Sequence, residues 1–142
     1  DKFPSLDITG PAPCYDQERP VFVGVAPFKG GLVPCKIIPD FMPNPVRLSH
    51  DGQEWTINKN EPFFVLPLDA STMEWVHTID GKIPGGRRPV QGGFEANGEP
   101  LYHAVALIDG VRVPGKTGEH LDAGGHVPYG GVEETRKHYQ IL

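Results

Sequence analysis

The chain has no apolar run approaching the ~18 residues needed to cross a bilayer, which excludes a transmembrane helix as its organising element. It has no cluster of basic residues either. Thirteen Lys and Arg stand against eighteen Asp and Glu, for a formal charge of −5. The counterion-release term that drives nucleic-acid binding is therefore missing, as is attraction to an anionic lipid surface. Cysteine is scarce. Cys14 and Cys35 are the only two, which allows one disulfide or two free thiols. No signal-peptide pattern is present, yet Asp1 stands where an initiator methionine would, as after upstream processing. Secreted and cytoplasmic locations both stay open. Long helical periodicity is also missing; the best helix candidate, Ala70 to Val76 after Asp69, is about two turns long.

What is abundant is glycine and proline, 34 residues of 142 (18 + 16), close to the level at which disorder becomes a concern. Apolar stretches such as Val21 to Val25 and Leu101 to Ile108 recur between them, and short strands joined by tight turns account for both facts. Asp109-Gly110 is the strongest hairpin signal, with Gly30-Gly31 in the same role earlier. Asn97-Gly98, Asp80-Gly81 and Asp51-Gly52 mark further turns. In the later stretch, Leu101, His103, Val105 and Leu107 alternate with Tyr102, Ala104, Ala106 and Ile108, the period of a strand.

Self-comparison shows an internal repeat. At an offset of 80, Pro20 falls on Pro100, Val25-Ala26 on Val105-Ala106, Gly30 on Gly110, and Val33-Pro34-Cys35-Lys36 on Val113-Pro114-Gly115-Lys116. Phe63 to Leu66 falls on Tyr139 to Leu142 at an offset of 76, so the first copy carries four extra residues (80 − 76), expected within a loop from Ser49 to Asn60. The predicted fold is all-β, two tandem pseudo-symmetric repeats stacking their apolar faces as one β-sandwich-like unit. Residues 1–74 hold the first repeat and a linker, and 75–142 the second. One copy alone is too small to be stable, so the pair is one folding unit.

Gly110 to Thr117 matches the phosphate-binding pattern G-x-x-x-x-G-K-[ST] letter for letter. Such a loop needs a helix to begin at the lysine. Here Gly118, Gly124 and Gly125 follow, Pro114 interrupts, and the first copy has Cys35-Lys36-Ile37 instead. The match is a coincidence. The six histidines show no metal-ligand spacing, no serine sits in a nucleophile elbow, and no catalytic set assembles. The chain reads as a non-enzyme with no metal site and no cofactor.

The pattern Trp75…Asp80-Gly81-Lys82-Ile83-Pro84…Gly92-Gly93…Gly98-Glu99-Pro100-Leu101-Tyr102-His103-Ala104…Gly110 to Lys116…Val127-Pro128-Tyr129-Gly130-Gly131…Tyr139 to Leu142 resembles a DM9 repeat. The match is close over 75–142 and looser, in register, over about 10–66. That family occurs in invertebrate lectin-like proteins and in the N-terminal part of natterin-type toxins. No aerolysin-like segment accompanies the repeats in this chain, so the toxin role is not expected to carry over. The resemblance implies a calcium-independent lectin for mannose or mannose-containing glycans, on microbial surfaces for instance, with a role in innate immunity. In the family's mannose-specific lectins a carboxylate before the first strand and the lysine after the Pro-Gly turn hold the sugar hydroxyls. The matching residues are Glu95 with Lys116 in the second copy and Asp16 with Lys36 in the first. Glu95 departs from the family's usual aspartate, and Phe41 to Gln53 replaces the second copy's Gly-rich stretch from His126 to Gly131.

The pairing also makes chemical sense. A carboxylate accepts from vicinal hydroxyls while an ammonium donates to them, and charge-assisted bonds are about twice as strong as neutral ones. The bland alternative is that both are structural ion pairs in a scaffold without sugar affinity. Lys116 is expected to be exposed, so that its removal leaves the fold intact. The sequence leaves the oligomeric state open, a homodimer included.

Overall fold

In the computed structural model, which describes residues 3–142, thirteen strands form among the described residues and helix is confined to single turns at Leu6–Thr9 and Pro39–Phe41. The first half supplies β1 (Cys14–Asp16), β2 (Arg19–Phe28), β3 (Gly31–Ile37), β4 (Val46–His50), β5 (Gln53–Ile57) and β6 (Phe64–Val65). β7 (Val76–Ile79) leads into the second half, which supplies β8 (Gly93–Phe94), β9 (Pro100–Ile108), β10 (Val111–Thr117), β11 (Gly125–Tyr129), β12 (Val132–Arg136) and β13 (His138–Ile141). The phosphate-loop mimic is thus a hairpin corner running into β10. No helix forms over Ala70 to Val76. Asp69 instead accepts from the backbone N–H and the hydroxyl of Ser71 at 3.0 and 2.6 Å, a local turn that competes with the helix.

Type I′ corners need two consecutive residues in the left-handed region, which Asp-Gly tolerates. Asp51-Gly52, Asp80-Gly81 and Asp109-Gly110 have φ of 51° and 79°, 55° and 77°, and 49° and 81°. The first-half corner is shifted by one residue from expectation. Lys29-Gly30 takes it, at 47° and 85°, because Gly31 already pairs with Phe28.

The strands make one antiparallel sheet in the order β1-β2-β3-β4-β5-β12-β11-β10-β9-β13-β7. β6 lies on β2, while β8 bonds to both β3 and β9 and so closes the sheet into a barrel-like form. Outward from the β5–β12 join, where Gln53 faces Val132, β5-β4-β3-β2 corresponds to β12-β11-β10-β9, so the two halves are related by a pseudo-twofold at that point. Pairing Lys36 with Arg47 and Lys116 with His126 moves the offset from 80 to 79, which places one extra residue between β3 and β4. Val65 and Ile141 occupy matching places, opposite Gly24 and Ala104, at offset 76, so the other three follow β5. Most of the span from Ser49 to Asn60 is therefore strand, and the counterpart of Gly130-Gly131 is the Asp51-Gly52 corner.

The apolar faces do not merge into one layer. Phe22, Ala26, Val33, Cys35, Ile37, Val46 and Leu48 form one cluster. Ala104, Ala106, Ile108, Val113, Val127, Tyr139 and Ile141 form another. A third, of Cys14, Val21, Ile38 and Val105, joins the halves. Cys14 and Cys35 fall in different clusters and both are free thiols. Complete burial pushes the Cys35 thiol well above its ordinary pKa, so it packs as an apolar side chain.

Candidate functional site

The matched Val-Pro-X-Lys segments lie inside β3 and β10 and are not turns. A proline is tolerated there because the ladder to the next strand begins only at the lysine, so the missing N–H removes no bond on that side. Gly115 lets β11 approach closely: a Cβ there would stand 2.3 Å from the His126 carbonyl oxygen. Strand parity then turns Lys36 and Lys116 toward β4–β5 and β11–β12. Both lysines are buried, at 5% exposure, contrary to the exposed position expected for Lys116.

Each lysine faces a carboxylate of its own half. Lys36 Nζ is 3.8 Å from Glu54 Oε2, and Lys116 Nζ is 3.7 Å from Glu133 Oε2. Glu54 and Glu133 match at offset 79, each two residues after the corner glycine of its own hairpin. Their other oxygens cross the pseudo-twofold. Glu54 Oε1 accepts from Gly131 N–H at 2.8 Å, and Glu133 Oε1 accepts from Gly52 N–H at 3.2 Å. Backbone bonds repeat the exchange, Glu54 N–H to Gly131 O at 3.2 Å and Glu133 N–H to Gly52 O at 3.0 Å. Each glutamate therefore grips the other half's hairpin while holding its own half's lysine.

Burial pulls the Lys36 ammonium below the ordinary lysine range, against Glu54 and Asp16, which hold it up. For Glu133 burial acts upward, but His126, Lys116 and the Ser49 hydroxyl together outweigh it and bring the carboxyl down to about 2. Around Lys36 stand the Tyr129 ring of the other half, with its centroid 5.3 Å from Nζ, and Arg47, 3.9 Å from Glu54. Around Lys116 stands His126, whose Nδ1 is 3.7 Å from Glu133 Oε1. Two acceptors of these clusters, Asp16 Oδ1 and Glu133 Oε2, are buried without a hydrogen-bond donor.

The four residues singled out in the sequence divide unequally. Asp16, at the end of β1, contributes a favourable charge to Lys36, but the ion-pair partner of Lys36 is Glu54. The expected pairing of Glu95 with Lys116 is not formed. Glu95 Oε2 is 2.8 Å from His120 Nε2, whose Nδ1 is 3.1 Å from Glu99, and the ion-pair partner of Lys116 is Glu133. Glu95 lines a concavity between the halves with Phe28, Lys29, His50, Asn97 and His120. Sequence reasoning missed Glu54 and Glu133. The signal was present as Gly52-Gln53-Glu54 and Gly131-Val132-Glu133, hidden by treating Ser49 to Asn60 as loop.

With this geometry in hand, comparison with known families decides the kinship: the model of the DM9 repeat matches residues 15–136. The chain belongs to the DM9-repeat family. That family is one of non-enzymatic binding domains. Among solved structures, the crystal structure of the nematode sperm cell motility protein MFP2B aligns with a TM-score of 0.60 at 14% identity. The alignment covers 99% of this chain and 43% of MFP2B, so the DM9 chain spans less than half of that protein, and what they share is the fold. No curated protein matches the chain significantly. Among the described residues, no helix is long and apolar enough to cross a membrane.

Proposed function

We propose that this DM9 chain is a non-catalytic carbohydrate-binding protein whose lysine–carboxylate clusters each take a pyranose, of mannose type by family resemblance. One observation carries the reading. At 3.7–3.8 Å the ammonium and carboxylate of each pair are too far apart for a direct hydrogen bond, and Asp16 Oδ1 and Glu133 Oε2 beside them are buried acceptors with no donor. A ligand hydroxyl is the group that completes both partners at once: its proton goes to the carboxylate and its oxygen accepts from the ammonium. Calcium is poorly suited to the same place, since the resident ammonium repels it and calcium needs six to eight oxygen ligands. Concavities of about 530 Å³ near Phe94 and about 300 Å³ near Leu142 lie away from both lysines. Single-site affinity on the order of 0.1–1 mM is expected, with useful strength from multivalent glycans such as those of microbial surfaces.

A second reading, a scaffold without sugar affinity, is favoured by the burial of both lysines and by the hairpin bonds of Glu54 and Glu133. A glycan array with the purified chain separates the two. Signal confined to mannosides supports the first reading, and a blank array overturns it in favour of the second.

A further inference from the structure

A cross-strand pair of exposed imidazoles lies outside every contact used so far. In the β7–β13 ladder His77 stands opposite Gln140, and His138 stands opposite Ile79. Residues two apart on a strand share a face, so His77 and His138 are diagonal neighbours on one side of the sheet, within reach of each other's rings. Their ring centroids are 5.4 Å apart with planes at 23°, and Nδ1 of His138 is 3.3 Å from Nε2 of His77. β7 ends the sheet order, so the pair sits at a rim open to solvent.

That separation has a chemical meaning. Two nitrogens bound to one tetrahedral ion at metal–nitrogen distances of 2.0–2.1 Å stand about 3.3–3.4 Å apart. The histidine χ2 well is broad, so a small rotation of two exposed rings turns both lone pairs to a common point. Val105 and Leu107 give the site an apolar flank. The Arg112 guanidinium beside it is held by the Gln140 side chain and the Pro13 carbonyl, at 2.9 and 3.2 Å.

We propose that His77 and His138 form a two-histidine site for a first-row transition-metal ion such as zinc, copper or nickel, with water in the remaining positions. Imidazole selects these ions over calcium and magnesium. The site is separate from the lysine clusters, and sugar binding does not depend on it. The cluster of His120 with Glu95 and Glu99 is unsuited to the same task. His120 Nε2 is already engaged by Glu95 at 2.8 Å, and Glu99 stands 3.1 Å from its Nδ1.

The test is competition for zinc or copper between the full chain and a chromophoric chelator, run on the parent and on His77→Ala, His138→Ala and His120→Ala. Both rings of the pair are exposed, so circular dichroism should show parent folds for their variants. The expected result is one ion per chain, with affinity at least about tenfold weaker in His77→Ala and in His138→Ala, since loss of an outer-shell partner alone costs that much. His120→Ala should bind like the parent. Failure of the parent to compete with the chelator overturns the proposal. So does unchanged affinity in folded His77→Ala and His138→Ala, or a loss confined to His120→Ala.

Discussion

Replacing Glu133 by Gln isolates the electrostatic part of the link between the halves. The amide oxygen still accepts from Gly52 N–H, but the charge facing Lys116 is gone. The Glu133 carboxyl is held at about 2 against an ordinary 4.5, and its side chain is only 11% exposed. Because the folded pKa is depressed, the stabilisation is present above about pH 4.5 and is lost as pH falls toward 2. A shift of this size corresponds to something on the order of 3 kcal/mol at neutral pH. Removing the charge also strands the buried Lys116 ammonium, which acts in the same direction. Urea denaturation of parent and Glu133→Gln between pH 7 and pH 3 should show the variant less stable by roughly 2–3 kcal/mol at pH 7. The gap should narrow steadily below about pH 4.5. Equal stability at pH 7, or a gap that does not change with pH, would refute the argument.

Two further substitutions probe the frame around the clusters. His103 is 1% exposed and pairs with Lys116 in the ladder; burial lowers its pKa to about 4. The unfolded state binds the proton more readily, so stability should fall by on the order of 3 kcal/mol as pH drops from about 6.5 to 4, and denaturation of His103→Leu should lack that limb. A Gly115→Ala side chain would meet backbone on β11, with its Cβ 2.3 Å from His126 O and 2.8 Å from Val127 Cα. Overpacking of this kind costs about 1–3 kcal/mol, so the melting temperature should drop by several degrees, and an unchanged melt would contradict the packing.

Much of the fold was legible in the sequence because corner chemistry is local. Asp51-Gly52, Asp80-Gly81 and Asp109-Gly110 declare their turns through the φ > 0 requirement, and the repeat fixes which strands correspond. The single closed sheet was not legible. It depends on β8 bridging β3 and β9, a long-range pairing with no local signature. The same limit governs the site. Val-Pro-X-Lys announced both lysines, but their burial comes from β5 and β12 folding over them, a consequence of tertiary packing. Glu95 was matched to Asp16 through the family resemblance, whereas His120, twenty-five residues away, captures it in space. His77 and His138, 61 residues apart, meet only because β7 and β13 pair.

In the proposed function a hydroxyl-rich ligand completes each lysine–carboxylate cluster without calcium. Lysine burial guides the choice of variant: Lys→Ala would leave cavities beside unpaired carboxylates, so Asp16→Asn together with Glu133→Gln is the gentler probe. Isothermal titration of the chain with methyl α-mannoside in EDTA is the decisive measurement. Binding should persist in the chelator for the parent chain and be lost in the folded Asp16→Asn/Glu133→Gln variant. No binding by the parent, recovery of binding only when calcium is restored, or equal binding by parent and variant would contradict it.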